Sequence, residues 1–197
     1  MPRSFHALAV LLFVVASFST ACAQQLGFTI WKGENLVGGI TAIRNHAGVN
    51  ATYAVSSYSE LEIVMKQVVR STMALEYRAG RPFAGFTSLH LNGSLRDSSF
   101  MRNMAGTLNC FVHPKEHFTM KEPNAWSTAR MYFEEPVGQS TVFVESVMRD
   151  CPLTRTAEGV YVLSMPGKKF NIYRYKDGLL QAVEVDRMFV KLVFKRA

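Results

Sequence analysis

The sequence predicts an all-β protein, a long antiparallel meander curled into a partly closed barrel with one short helix. Three observations carry that prediction. Asn92-Gly93 and Asp177-Gly178 each separate two β-prone runs, and both dipeptides tolerate the positive φ of a tight hairpin. The last stretch alternates, with Met188, Val190, Leu192 and Phe194 on one face and Arg187, Lys191 and Lys195 on the other, as in a strand with one face in a core. The 197 residues amount to one domain with room for a substantial core. A meander of that length protects its edges by curling.

The amino terminus reads as an export signal. Arg3 supplies the positive end, residues 7–18 are an uninterrupted apolar run, and Ala21-Cys22-Ala23 fits a small-x-small cleavage site before Gln24. The expected division is therefore a signal peptide over 1–23 and a single domain over 24–197. The apolar run is shorter than the roughly 20 residues of a membrane span, so no transmembrane segment is expected once the signal is removed. A rival reading takes Ser19-Thr20-Ala21-Cys22 as a lipoprotein site with Cys22 acylated. It lacks the aliphatic residue usual three positions before the cysteine. Periplasmic or extracellular export is the expected location. Without Cys22, Cys110 and Cys151 make an even pair in an oxidising compartment, a candidate disulfide set against two unpaired buried thiols.

The formal charge of +7 falls by one when Arg3 leaves. In an exported protein it argues against nucleic acid and for an anionic envelope component, against the plain alternative that it keeps the protein soluble.

Taken in order, residues 26–32 and 36–45 are β-prone runs around Gly33-Glu34-Asn35, and 51–58 follows a loop at 46–50. Residues 83–91 and 94–101 flank Asn92-Gly93, and 170–176 and 179–186 flank Asp177-Gly178. One segment points elsewhere. Leu61, Val64, Met65, Val68, Val69 and Met73 follow helical spacing, and Ser59 with Glu62 spells a capping box. Ile63, Met65, Gln67 and Val69 fit period two in part, so periodicity alone favours helix there. The short helix is expected near 124–133, begun at Asn124 after Pro123, with Trp126, Ala129 and Phe133 along one side.

Several blocks resemble a family of exported bacterial proteins of unknown function with a signal peptide and a long β-meander. They are Leu75-Glu76-Tyr77-Arg78-Ala79-Gly80, Leu91-Asn92-Gly93-Ser94-Leu95 and Ser127-Thr128-Ala129-Arg130-Met131-Tyr132-Phe133-Glu134-Glu135-Pro136. Val142-Phe143-Val144-Glu145, Tyr161-Val162-Leu163, Asn171-Ile172-Tyr173-Arg174-Tyr175 and Lys176-Asp177-Gly178 follow. The resemblance implies extended chain before Leu75, so residues 61–78 are expected as strands. It implies no activity.

Chemistry is sparse. His113-Pro114-Lys115-Glu116-His117 spells H-x-x-E-H, which on a helix would set two imidazoles on one face as zinc ligands around a general-base carboxylate. Pro114 and the strand-like flanks make a hairpin loop the better reading. His113, Glu116 and His117 remain weak metal candidates for a minor hydrolase alternative, and no cofactor is expected. Glu134, Glu135 and Glu145 offer carboxylates, but neighbours in extended chain face opposite ways, and pairing of Glu134 or Glu135 with Arg130 is the structural alternative. No nucleophile sits in an elbow sequence. The functional expectation is a non-enzymatic envelope protein whose curved sheet takes an apolar or lipid-like ligand, with Trp126, Arg130, Tyr132, Phe133 and Glu135 as candidate contacts. The alternative is a structural or protein-interaction envelope protein with a filled core.

Overall fold

Turn chemistry sets the strand boundaries. A computed structural model of the protein describes residues 22–62, 65–121, 123–187 and 190–197. Nearly all of the export signal expected at 1–23 thus lies outside the described residues, as do Val64 of the 61–73 pattern and Met188 of the final alternation. The first run of strands is β1 (Cys22–Lys32), β2 (Asn35–Ala47), β3 (Asn50–Glu62), β4 (Lys66–Arg78), β5 (Arg81–Leu91), β6 (Ser94–Met104), β7 (Thr107–Val112) and β8 (Glu116–Met120). The second is β9 (Thr141–Val144), β10 (Arg149–Ala157), β11 (Val160–Met165), β12 (Lys169–Lys176), β13 (Leu179–Arg187) and β14 (Val190–Arg196). Asn92 and Gly93 lie at φ 51° and 83°, and Asp177 and Gly178 at 53° and 74°, the paired positive values of the tight turns expected there. Ala79-Gly80 and Ala105-Gly106 make the same turn, at φ 49° and 74° and at 51° and 85°, with an alanine in place of Asn or Asp.

All fourteen strands form one antiparallel sheet in the order β8 to β1, then β14 back to β9. Every neighbour is sequential except the pair β1 and β14, where Phe28 faces Arg196 and Ile30 faces Phe194. A twisted sheet this wide curls, and alternate residues turn inward: on β3, Tyr53, Val55 and Ser59 are buried while Thr52, Ala54 and Ser56 are exposed. The outer face carries an aromatic row in register across four strands, Phe86, Phe100, Phe111 and His117, with Phe86 and Phe100 about half exposed.

The edge strands β8 and β9 are not hydrogen-bonded to each other, so the barrel stays partly open. Side chains tie the seam. Arg149 of β10 pairs with Glu116 of β8 and lies 5.3 Å over the Phe118 ring, and Ser99 of β6 donates to the Glu145 carbonyl at 2.6 Å. The connection between the edges, described at residues 121 and 123–140, does not pass outside. It enters the interior, where Ala129, Met131 and Phe133 are buried in the core, and it acts as a plug.

Two expectations change, and the strands expected over the described part of residues 61–78 are found. The helix near 124–133 reduces to one 3-10 turn, Arg130–Tyr132. Residues 126–128 are held instead by β9, through Thr128 N–H to the Phe143 carbonyl at 3.0 Å and Phe143 N–H to the Trp126 carbonyl at 2.7 Å; those backbone groups cannot also serve a helix. Helical periodicity over 61–73 loses to the extended reading, since the chain runs along β3 to Glu62 and resumes as β4 at Lys66. The candidate disulfide is not formed. Cys110 and Cys151 are free and buried, on β7 and β10, with β6 to β1 and β14 to β11 between them in the sheet. Burial pushes the Cys110 thiol up to about 11.

Candidate functional site

The plug fills only part of the interior. Beside it lies a cavity of about 460 Å³. One wall, from β1 and β12 to β14, is apolar: Ile30, Tyr173, Val185, Leu192 and Phe194 face it. The alternation expected for the last strand is what aims Leu192 and Phe194 inward. The opposite wall, from β3 to β5, mixes Val55 and Met73 with hydroxyls. Three of these hydroxyls are paired across strands, Ser57 with Ser71 at 2.7 Å and Thr87 with Ser99 of β6 at 2.7 Å, an arrangement that ties neighbouring strands together.

The plug supplies the floor through Thr128 and Tyr132, joined by Val147 from the turn between β9 and β10. Tyr132 packs edge-on against Phe28 at 5.4 Å. Burial raises its hydroxyl pKa well above the ordinary value, with Tyr173 and Glu145 adding to the effect. The cavity opens past Asp97, Ser146 and Lys169, all exposed.

Below the floor sits Glu145, with no exposed surface. Its carboxylate accepts the Ala129 N–H at 3.0 Å and the Thr128 hydroxyl. Burial raises its pKa, opposed by the hydrogen bonds from Thr128, Ala129 and Ser127. These contacts join the plug to the end of β9. Nearby, the Tyr77 hydroxyl is buried facing Ser127 without a hydrogen bond of good geometry, and burial raises its pKa too.

The other flank of the plug is clamped by charge. Glu134 receives Arg44 at 2.5 Å and both Nε and Nη2 of Arg130 at 2.9 and 2.7 Å. Arg44 also lies 5.2 Å from the Phe133 ring and Arg130 4.0 Å from the Trp126 ring. Glu135 points the other way and accepts the Tyr161 hydroxyl at 2.8 Å. Of the five candidate contacts read from sequence, then, Tyr132 lines the cavity, whereas Trp126, Arg130, Phe133 and Glu135 hold the plug in place. Asn171 and Lys169 line it without having been singled out as contacts, because only the inward register of β12 brings them there.

The H-x-x-E-H residues form no helix. They span the turn from β7 into β8, where Glu116 pairs with Arg149 and the His117 ring stacks at 4.6 Å on Phe111. Among the described residues no group of three or more His, Cys, Asp or Glu is placed to hold a metal, and no helix is long and apolar enough to cross a membrane.

Comparison with known folds agrees with this architecture. A crystal structure titled as a beta-barrel-like protein of domain of unknown function DUF1849, from Brucella abortus, is similar with a TM-score of 0.59 at 11% identity, over 88% of this chain and 94% of that one. At that identity the likeness concerns the fold alone. No curated protein matches in sequence. A family model does match, over residues 28–197, so the chain belongs to the family described as Domain of unknown function (DUF6134).

Proposed function

We propose that this is an exported, non-enzymatic envelope protein that holds an apolar or lipid-like ligand in the cavity between the plug and strands β12 to β14. The observation that carries this reading is the cavity itself. Its volume of about 460 Å³ falls in the roughly 300–1,000 Å³ range of small-molecule sites, and its lining sets an apolar wall against one that carries several serine and threonine hydroxyls. A protein that served only as a filled scaffold would gain stability by packing this space, since unfilled core volume is destabilising.

The test combines native mass spectrometry of the protein purified gently from its own host with binding of an apolar fluorescent dye, 1-N-phenylnaphthylamine. A lipid-sized adduct and saturable dye binding are expected. Val69→Trp, a half-buried lining position, should fill the space and weaken dye binding about tenfold or more, since overpacking a site costs about 1–3 kcal/mol. A clean apo mass together with no dye binding would overturn the reading.

A further inference from the structure

The outer face of the first run of strands carries apolar side chains that the core does not use. Along β6, Ser99 and Met101 are buried, so Phe100 between them turns outward. Phe100 and its cross-strand neighbour Phe86 keep 50% and 46% of their surface exposed. The row continues through Phe111 and His117 on one side, with the Phe100 and Phe111 ring centroids 5.3 Å apart, and through Ala74 and Ala54 on the other. At about 4.8 Å from strand to strand, the four aromatic rings span roughly 14 Å. The rows beside them are polar: Ser56, Thr72, Ser88 and Ser98 on one side, and Thr52, Glu76, Arg102 and Asn109, with Ala84, on the other. Single exposed apolar residues need no explanation, but a contiguous row rimmed by polar groups marks a surface that meets a partner.

Charge narrows what that partner is. Glu76, in the row beside the rings, pairs with Arg78, and Glu60 pairs with Lys66. Arg102, two residues along β6 from Phe100, and Arg70, beyond Thr72 on β4, are exposed and form no ion pair among the described residues. Arg70 instead lies 5.3 Å from the centroid of the Tyr58 ring. The ridge of rings is thus bracketed by two uncompensated positive charges, in a chain whose formal charge is +7. A second copy seated on the same ridge would bring arginine against arginine.

We propose that this ridge is where the protein lies on a bilayer surface containing anionic lipid, with Phe86 and Phe100 entering the interfacial layer while Arg70 and Arg102 meet headgroup phosphates. Aromatic rings favour that layer, and basic side chains are attracted to a negatively charged leaflet. Strands β5 and β6 have a neighbour on each side, so their ladder bonds are already made and only side chains need enter the lipid. The assignment does not use the cavity and stands or falls separately from it.

The experiment is co-sedimentation of the whole mature protein with vesicles of phosphatidylcholine alone and of phosphatidylcholine mixed with phosphatidylglycerol. Binding to the mixed vesicles is expected, weakened in about 1 M salt, where charges are screened beyond about 3 Å. Arg70→Gln and Arg102→Gln should each weaken it about fivefold, the ratio that about 1 kcal/mol per basic residue produces. Lys176→Gln removes the same charge from an exposed position at the end of β12, away from the ridge, and should change binding by less than about twofold. Phe86→Ser combined with Phe100→Ser should weaken binding about tenfold or more, since each ring buries apolar area on insertion. These side chains all point away from the core, so cooperative thermal melting should be retained, which separates lost docking from lost folding. In Phe100→Trp, indole emission should move to shorter wavelength and be quenched by brominated lipid when mixed vesicles are added. Unchanged binding in the phenylalanine pair, equal losses in Lys176→Gln and Arg102→Gln, or a dimer on gel filtration that Phe100→Ser dissolves overturns the assignment.

Discussion

At the scale of single residues, Glu145 shows how one buried polar side chain, held by hydrogen bonds from Thr128 and Ala129, acquires a definite task. Glu145 is fully buried, and its raised pKa makes its contribution depend on pH with a definite sign. Below its ordinary value of 4.5 the carboxyl is protonated in folded and unfolded chains alike. Above that value the unfolded chain ionises first, unfolding releases a proton, and stability falls as pH rises toward the folded pKa. Glu145→Gln mimics the protonated form and can still accept the Ala129 N–H. Urea unfolding at pH 4, 5.5 and 7 should show the unaltered protein losing stability with pH relative to Glu145→Gln, with the two closest at pH 4. A parallel pair of curves would show that this carboxyl does not change its proton occupancy on unfolding. Glu145 was visible in the sequence as one member of an acidic cluster. Its separation from Glu134 and Glu135, which reach Arg44, Arg130 and Tyr161 near the protein surface, depends on the turn of the chain through Pro136 and into β9.

At the scale of elements, the plug has the largest effect on the interior. Its residues carry a helix-like spacing of Trp126, Ala129 and Phe133, yet only Arg130–Tyr132 turn helically. The reason is competition for backbone groups: β9 takes the carbonyl of Trp126 and the N–H of Thr128, while the Asn124 side chain captures the Trp126 N–H at 2.8 Å and Pro136 closes the far side. Periodicity registers which side chains are apolar and says nothing about a strand arriving from elsewhere to claim those bonds. Met131 is fully buried under this arch, and the Tyr175 hydroxyl donates to its carbonyl at 2.7 Å. Met131→Ala should cost about 2–5 kcal/mol by leaving a cavity in the core, read as a lower urea midpoint with an unchanged slope. A loss under 1 kcal/mol would mean that the plug is not anchored through Met131. Strand β4 shows why periodicity alone favoured a helix where the chain is extended. Its inward positions include Gln67 and Ser71 beside Val69 and Met73, so a wall that faces a cavity with paired hydroxyls blurs the period-two signal that a fully packed wall would show.

At the scale of the whole molecule, closure depends on the two ends of the described chain. The meander becomes one sheet because β1 accepts β14, joining residues near the amino end to Phe194 and Arg196. Such a long-range pairing forms at a large loop-closure cost. Deleting residues 190–197 removes the Leu192 and Phe194 wall and bares two long inner edges. The expected outcome is loss of the cooperative thermal transition in circular dichroism and association on gel filtration. A truncated protein that melts cooperatively as a monomer would show that the two runs of strands stand without this joint. The strand boundaries, the tight turns and the inward face of β14 were legible from sequence because hairpins are local. Turn residues need only positive φ and alternation needs only neighbouring positions, so a short window contains the whole cause. The β1 and β14 pairing, the entry of residues 123–140 into the barrel, the separation of Cys110 from Cys151 and the cavity beside the plug arise only in the folded chain. Each depends on which distant strands share an inner face, and that is decided by how a wide twisted sheet curls around its own connection.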